Sequence, residues 1–194
     1  MSKILIFDNY DSFTYNLVHI VEKLKNTKVD VFRNDEIELE QIQQYDKIIL
    51  SPGPGLPAQS GLLIPLIKEF ASSKSILGVC LGQQAIAEAF GGSLMNLKTV
   101  FHGVATSIKV NSGRTSRVND IFRDLPNELV VGRYHSWVVN KKDFPKELRI
   151  TAEDEDREIM ALEHPKYDLQ AVQFHPESVM TPEGEQMISN WLKN

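Results

Sequence analysis

Short apolar runs alternate with amphipathic stretches through the first half of the chain. Residues 3–7 are almost wholly apolar, the pattern of a strand buried on both faces. Over residues 13–24 the apolar positions Phe13, Leu17, Ile20, Val21 and Leu24 share one face at helical spacing. A second strand is predicted at 28–33, a short helix at 39–44 and a third strand at 47–50. That third strand stops at Pro52-Gly53-Pro54-Gly55, residues that break regular structure. Residues 62–70 predict a helix, 75–79 a fourth strand and 84–90 another helix. Such alternation implies an α/β fold with a parallel core sheet, helices on both faces and right-handed crossovers.

After Gly91-Gly92 the texture changes. Segments 106–110, 129–131, 138–139, 148–151, 159–163 and 169–174 look like added antiparallel strands, and only 183–192 reads as a long helix. No repeat, low-complexity tract or linker interrupts the chain, so a single domain over 1–194 is expected. The 42% hydrophobic content suits a globular core. A formal charge of -5, with the signs mixed along the chain, argues against a nucleic-acid surface. No run approaches the roughly 20 apolar residues of a membrane span, and the N-terminal run is short for a signal peptide. With one cysteine no internal disulfide is possible, and a reducing, cytoplasmic setting is expected.

That cysteine, Cys80, lies where an apolar run gives way to a helical one, between Gly78 and Gly82. Glycine, nucleophile and glycine at this spacing make the pattern of a nucleophile elbow, with sulfur in place of the more usual hydroxyl. The helix N-terminus that follows would favour a thiolate, the reactive form. A buried core cysteine is the plain alternative. A thiol nucleophile needs a base, an orienting group and oxyanion donors. Among the five histidines, His175 is the strongest candidate base. It follows an apolar strand, Pro176 favours an extended backbone there, and Glu177 two residues on would share its face. His135, in Arg133-Tyr134-His135-Ser136-Trp137, also stays open. The N–H of Leu81 is the elbow's own oxyanion donor. Gly53 or Gly55 can bring a second, since glycine lets a backbone approach a ligand closely. In open α/β sheets sites form at the carboxyl ends of strands, which puts the Asp8-Asn9-Tyr10-Asp11 loop, the Pro-Gly loop and Cys80 along one edge. Asp11 or Ser12 can also serve simply as a helix cap. No paired cysteines or His-x-x-x-His spacing suggests a metal site.

Taken in order, Ser51-Pro52-Gly53-Pro54-Gly55, Gly78-Val79-Cys80-Leu81-Gly82-Gln83-Gln84 and Phe174-His175-Pro176-Glu177 resemble the class I, triad-type glutamine amidotransferases over nearly the whole chain. Asp8 to Asn16 and Arg133 to Ser136 narrow the likeness to the glutaminase subunits of anthranilate synthase and aminodeoxychorismate synthase. The resemblance implies a flavodoxin-like open sheet and a Cys80, His175, Glu177 triad that cleaves L-glutamine through a thioester. It implies oxyanion contacts from the backbone of Gly53 and Leu81. Glutamine would be gripped by Gly53, Pro54, Gly55 and Gln84, with the backbone of Ser136 and Trp137. Ammonia would pass to a chorismate-binding synthase partner, which Asn9, Tyr10 and Asp11 are expected to meet. No cofactor is implied on this chain; Mg²⁺ is expected only on the synthase partner. Gln83 stands where relatives often carry His, and Trp137 where Leu is frequent. Rival readings are a thiol hydrolase of the same architecture and a non-catalytic receiver-like module built on Asp8 and Asp11.

Overall fold

The computed structural model describes residues 2–25, 29–111 and 119–193. Its elements run β1 (Ile4–Asp8), α1 (Thr14–Lys25), β2 (Asp30–Arg33), α2 (Leu39–Ile42), β3 (Lys47–Leu50), α3 (Leu63–Phe70), β4 (Ser75–Val79), α4 (Leu81–Ala89) and β5 (Leu94–Asn96). There follow β6 (Val104–Val110), β7 (Glu128–Arg133), β8 (Trp137–Val139), β9 (Arg149–Asp154), β10 (Ile159–Glu163), β11 (Leu169–Val172) and α5 (Gly184–Leu192). The expected second strand starts late, and Lys28 lies outside the described residues.

Nine strands form one sheet in the order β2-β1-β3-β4-β11-β10-β9-β6-β7. The first five are mutually parallel, and from β11 onward each neighbour is antiparallel. Side chains alternate across the parallel half, as a pleated strand requires. Ile4 and Ile6 face a core with Leu17 and Val21 of α1 and Met187, Ile188 and Trp191 of α5. Leu5 and Phe7 face the opposite core with Leu66 and Phe70 of α3 and Leu81 and Ile86 of α4. Both faces are therefore covered by helices, which is why these strands read as continuous apolar runs.

Two expectations need correction. Segment 169–174 does not form a purely antiparallel strand. Only Leu169–Val172 is strand, and it pairs parallel with β4 on one edge and antiparallel with β10 on the other. A strand has two edges, and the short connection from β10 determines the direction of only one pairing. The pair β5 and β8 forms a separate two-stranded ribbon, and β5 was not expected. Its three half-exposed residues carry too little alternation to register.

The consequence for function lies in the strand order. β1, β3, β4 and β11 are adjacent and parallel, so the loops leaving their carboxyl ends are neighbours. Those loops carry Asn9, the Pro-Gly segment, Cys80 and His175. Among the described residues no helix is long and apolar enough to cross a membrane.

Candidate active site

Cys80 sits at the junction of β4 and α4 with φ +52° and ψ -100°. Few non-glycine residues adopt this conformation, and it costs on the order of 1–3 kcal/mol. The surroundings hold it there. The Cys80 N–H donates to Val172 O at 2.8 Å, and its carbonyl accepts from Gln84 N at 3.2 Å as α4 begins. The flanking glycines owe their place to packing rather than to unusual φ. A Cβ on Gly78 would lie 2.7 Å from the Gly82 carbonyl carbon, and one on Gly82 would lie 2.7 Å from Leu50 O. Their absence lets the first turn of α4 rest directly on β3 and β4. The helix starts at Leu81, three residues earlier than expected, so its first N–H groups without intrahelical acceptors face outward beside the cysteine.

His175 and Glu177 meet as predicted, by a different route. The segment after Val172 bends, and Ser178 N donates to His175 O at 3.2 Å, so Glu177 lies in a turn and not in extended chain. The His175 Nδ1 donates to Glu177 Oε1 at 2.6 Å, with both side chains almost fully buried. The backbone of His175 is pinned at both ends: its N–H donates to Gly132 O, and its carbonyl accepts from Thr181 Oγ1 at 2.7 Å. Tyr134 and Phe13 pack edge-on against the imidazole at 4.8 and 5.8 Å between ring centres. Burial disfavours the charged ring, but contact with the Cys80 thiol and the Glu177 carboxylate outweighs this and pushes His175 up to about 11. Its Nε2 makes no well-formed hydrogen bond. A loose thiol–imidazole approach of this kind is common before substrate binds.

A cavity of about 290 Å³ opens over the cysteine, lined by Gly53, Pro54, Gly55, Cys80, Leu81, Gln84, Tyr134, His135, Ser136 and Trp137. All the residues expected to grip glutamine are in that lining. A slightly larger concavity over β6 and β9, about 320 Å³, lies on the antiparallel half of the sheet and is lined by neither Cys80 nor a histidine. Gly53 lies against Leu81: a Cβ on it would meet Leu81 Cδ2 at 2.9 Å and Asn9 O at 2.5 Å. The Pro-Gly loop therefore packs directly on the Leu81 side chain, and both residues line the cavity over Cys80.

The loop after β1 divides in its roles. Asn9 is a correction to the expected partner surface. It is 2% exposed, donates from Nδ2 to Ser51 O at 2.9 Å, and takes the Asn34 amide at 3.3 Å. Its task is to brace the Pro-Gly loop. Tyr10 is 49% exposed, with its hydroxyl donating to Asp35. Asp11 accepts from Phe13 N at 2.7 Å, the capping role. Burial raises the Asp11 carboxyl above its usual range, and the Phe13 N–H and the adjacent His175 partly offset the effect. Gln83 is fully buried and donates from Nε2 to Ile159 O at 3.2 Å.

Two features escaped the sequence reading. One is Gln173, whose Nε2 lies 3.5 Å from Cys80 Sγ. A polar residue closing the apolar run before His175 was the available signal. The other is the role of His135. Its Nδ1 donates to Trp137 O at 3.1 Å, while its Nε2 accepts from Arg133 Nε at 3.1 Å. Arg133 in turn forms a buried pair with Asp154 at 2.7 Å. Burial and the adjacent guanidinium push His135 down to about 3, so it is neutral and is not a second base. The unfolded residue titrates near its ordinary 6.5. His135 therefore adds stability above about pH 6.5 that drains away as pH falls toward 3. Wild type is expected to lose about 1–2 kcal/mol between pH 6.5 and 5 that His135→Gln does not lose. Urea unfolding of both proteins across that range checks this; parallel pH curves would refute it.

The sequence model of the family described as glutamine amidotransferase class-I matches residues 5–194. The chain is 44% identical over 193 residues to anthranilate synthase component 2 of Pyropia yezoensis, covering 98% of each. It is 42% identical over 192 residues to a Bacillus subtilis protein named aminodeoxychorismate/anthranilate synthase component 2, covering 98% of this chain and 95% of that one. It is also 42% identical over 195 residues to the bifunctional protein TrpGD of Thermotoga maritima, covering 99% of this chain but only 32% of that protein. Among solved structures, a Thermoplasma acidophilum protein provisionally described as one component of a GMP synthase superposes with TM-score 0.84 at 26% identity, over 98% of this chain and 92% of that one. The elbow, the histidine–carboxylate pair and the Pro-Gly loop thus sit in a fold and sequence shared along the whole described length, and the chain belongs to the class-I glutamine amidotransferases.

Proposed function

We propose that this chain is the glutaminase subunit of anthranilate synthase, releasing ammonia from L-glutamine for a chorismate-using partner. The observation that carries the reading is the 2.6 Å His175–Glu177 pair buried beside Cys80, which itself lines a cavity walled by the Pro-Gly loop. With its proton already resting on His175 Nε2, the Cys80 thiolate attacks the glutamine side-chain carbonyl carbon. Negative charge gathers on the carbonyl oxygen, where the N–H groups of Gly53 and Leu81 receive it. The C–N bond then breaks, and His175 gives its proton to the leaving nitrogen, which departs as ammonia. A γ-glutamyl thioester remains on Cys80. His175 takes a proton from water, hydroxide adds to the thioester, and glutamate leaves as the thiol reforms. Glu177 holds the Nδ1–H throughout, so that Nε2 is the nitrogen that exchanges protons.

In the pocket both hydrogen bonds of the Gln84 side chain use Nε2, to Trp137 O and Gln173 Oε1. Its Oε1 stays available for the substrate ammonium group. The relatives' names support the anthranilate reading, and the Bacillus subtilis protein, named for both synthases, supports aminodeoxychorismate as the second product. The ammonia acceptor and any Mg²⁺ belong to the partner chain. Mixing the purified protein with candidate synthase subunits, chorismate, Mg²⁺ and glutamine should yield fluorescent anthranilate, with glutamine hydrolysis rising on assembly. Hydrolysis indifferent to every synthase subunit would instead favour a free-standing thiol hydrolase.

A further inference from the structure

Gln173 is fully buried on the bend between β11 and His175, and the reaction described above leaves it without a task. Its Nε2 donates to Cys80 Sγ at 3.5 Å, and its Oε1 accepts from Gln84 Nε2 at 3.2 Å. The Gln84 amide also donates to Trp137 O at 2.9 Å, the same carbonyl that takes the His135 Nδ1–H at 3.1 Å. Beyond His135 the chain of contacts continues to Arg133 and ends on Asp154. The main chain of Gln173 is fixed as well, with its N–H donating to Met160 O at 2.8 Å.

We propose that Gln173 is a further catalytic residue, whose amide N–H stabilises the Cys80 thiolate, and that Gln84 and the Trp137–His135–Arg133–Asp154 chain hold the amide in that orientation. The inference rests on the glutamine-cleaving reading of the site. An amide has one donor end and one acceptor end. Because Gln84 presents a donor, the carbonyl end of Gln173 must turn toward it, and the NH₂ end then faces sulfur. Rotation by half a turn would set two NH₂ groups against each other and a carbonyl oxygen against the thiolate. With the Cys80 proton on His175 Nε2, the charge left on sulfur meets donors from two sides: the N-terminus of α4 and the Gln173 amide. The chargeable groups around the thiol are His175 and Glu177 after β11, Asp11 after β1, and His135 with Arg133 from the β7–β8 segment. None of them replaces an N–H aimed at sulfur from the Gln173 position.

The chain has a single cysteine, so alkylation by iodoacetamide reads Cys80 alone. In Gln173→Met the midpoint of the alkylation pH profile should rise by about one pH unit, the size of a charge-assisted hydrogen bond. Glutamine kcat should fall about tenfold with KM little changed. Gln173→Glu, a second route should the methionine variant not fold, should raise the midpoint further by placing a carboxylate beside the sulfur. Gln84→Met, which frees the Gln173 amide to rotate, should shift it in the same direction by less. An unchanged profile in a folded Gln173 variant overturns the proposal, even if glutamine turnover falls, since the side chain would then serve substrate binding alone. A wild-type protein that alkylates as expected but cleaves no glutamine would strike the reading of the site and leave the thiolate contact standing.

Discussion

Cys80→Ser should lose glutamine-dependent synthesis by at least roughly 10³-fold in the assembled enzyme, while synthesis from added ammonium salt stays at the wild-type level. The first half follows from chemistry. A serine hydroxyl is far less acidic than a thiol, and the helix N-terminus, the Gln173 amide and the His175 imidazole are arranged around the Cys80 sulfur. The second half follows from architecture. On the proposed function ammonia is made on this chain and consumed on another, so removing its source leaves the consumer untouched. Stability should change little, because the substitution is nearly isosteric and the strained backbone at residue 80 is common to both proteins. Anthranilate fluorescence with glutamine and with ammonium in parallel reads both halves. Glutamine-dependent activity surviving in the variant would remove Cys80 from the reaction. Loss of both activities would mean that the elbow matters for docking as well as for chemistry.

The parallel half of the fold and the grouping of Cys80, His175 and Glu177 were legible because their signals are local. A strand buried on both faces is a run of apolar residues, and an elbow is a glycine spacing at the point where such a run meets a helical one. The position of β11 was harder. Its sequence does not say that one edge pairs in parallel with β4 while the other closes a hairpin with β10. Yet that placement carries His175 to Cys80. Asn9 was misassigned for a related reason: a polar residue in a loop reads as surface until the loop from β3 folds over it. Gln173, Arg133 and Asp154 are buried polar groups, visible in sequence only as interruptions of apolar segments. Their partners lie 93 and 21 residues away, and such distances are created by the fold.

Gly184→Ala should be the most damaging methyl group that can be added near the site. Gly184 opens α5 with an ordinary backbone conformation, so nothing local demands glycine. The demand comes from Pro176. A Cβ at position 184 would sit 1.8 Å from the Pro176 carbonyl oxygen and 2.7 Å from its carbon. Both atoms are backbone, in the residue between His175 and Glu177, and cannot swing aside as a side chain would. Either α5 lifts away, uncovering Met187, Ile188 and Trp191, or the turn that sets the His175–Glu177 bond shifts. Overpacking of this kind costs about 1–3 kcal/mol or more. A displacement of about 1 Å at the imidazole lowers turnover by about 10²-fold. The urea midpoint and glutamine kcat should therefore fall together, with ammonia-dependent synthesis spared wherever the variant remains folded. Gly91→Ala supplies the contrast. Gly91 has φ +93° and open space where a Cβ would go, so the alanine there is strained but meets nothing. It should cost about 1 kcal/mol of stability and leave glutamine turnover intact. If Gly184→Ala behaved like Gly91→Ala, the turn at Pro176 would be soft, and its rigidity could no longer explain how two residues outside any strand hold a catalytic distance.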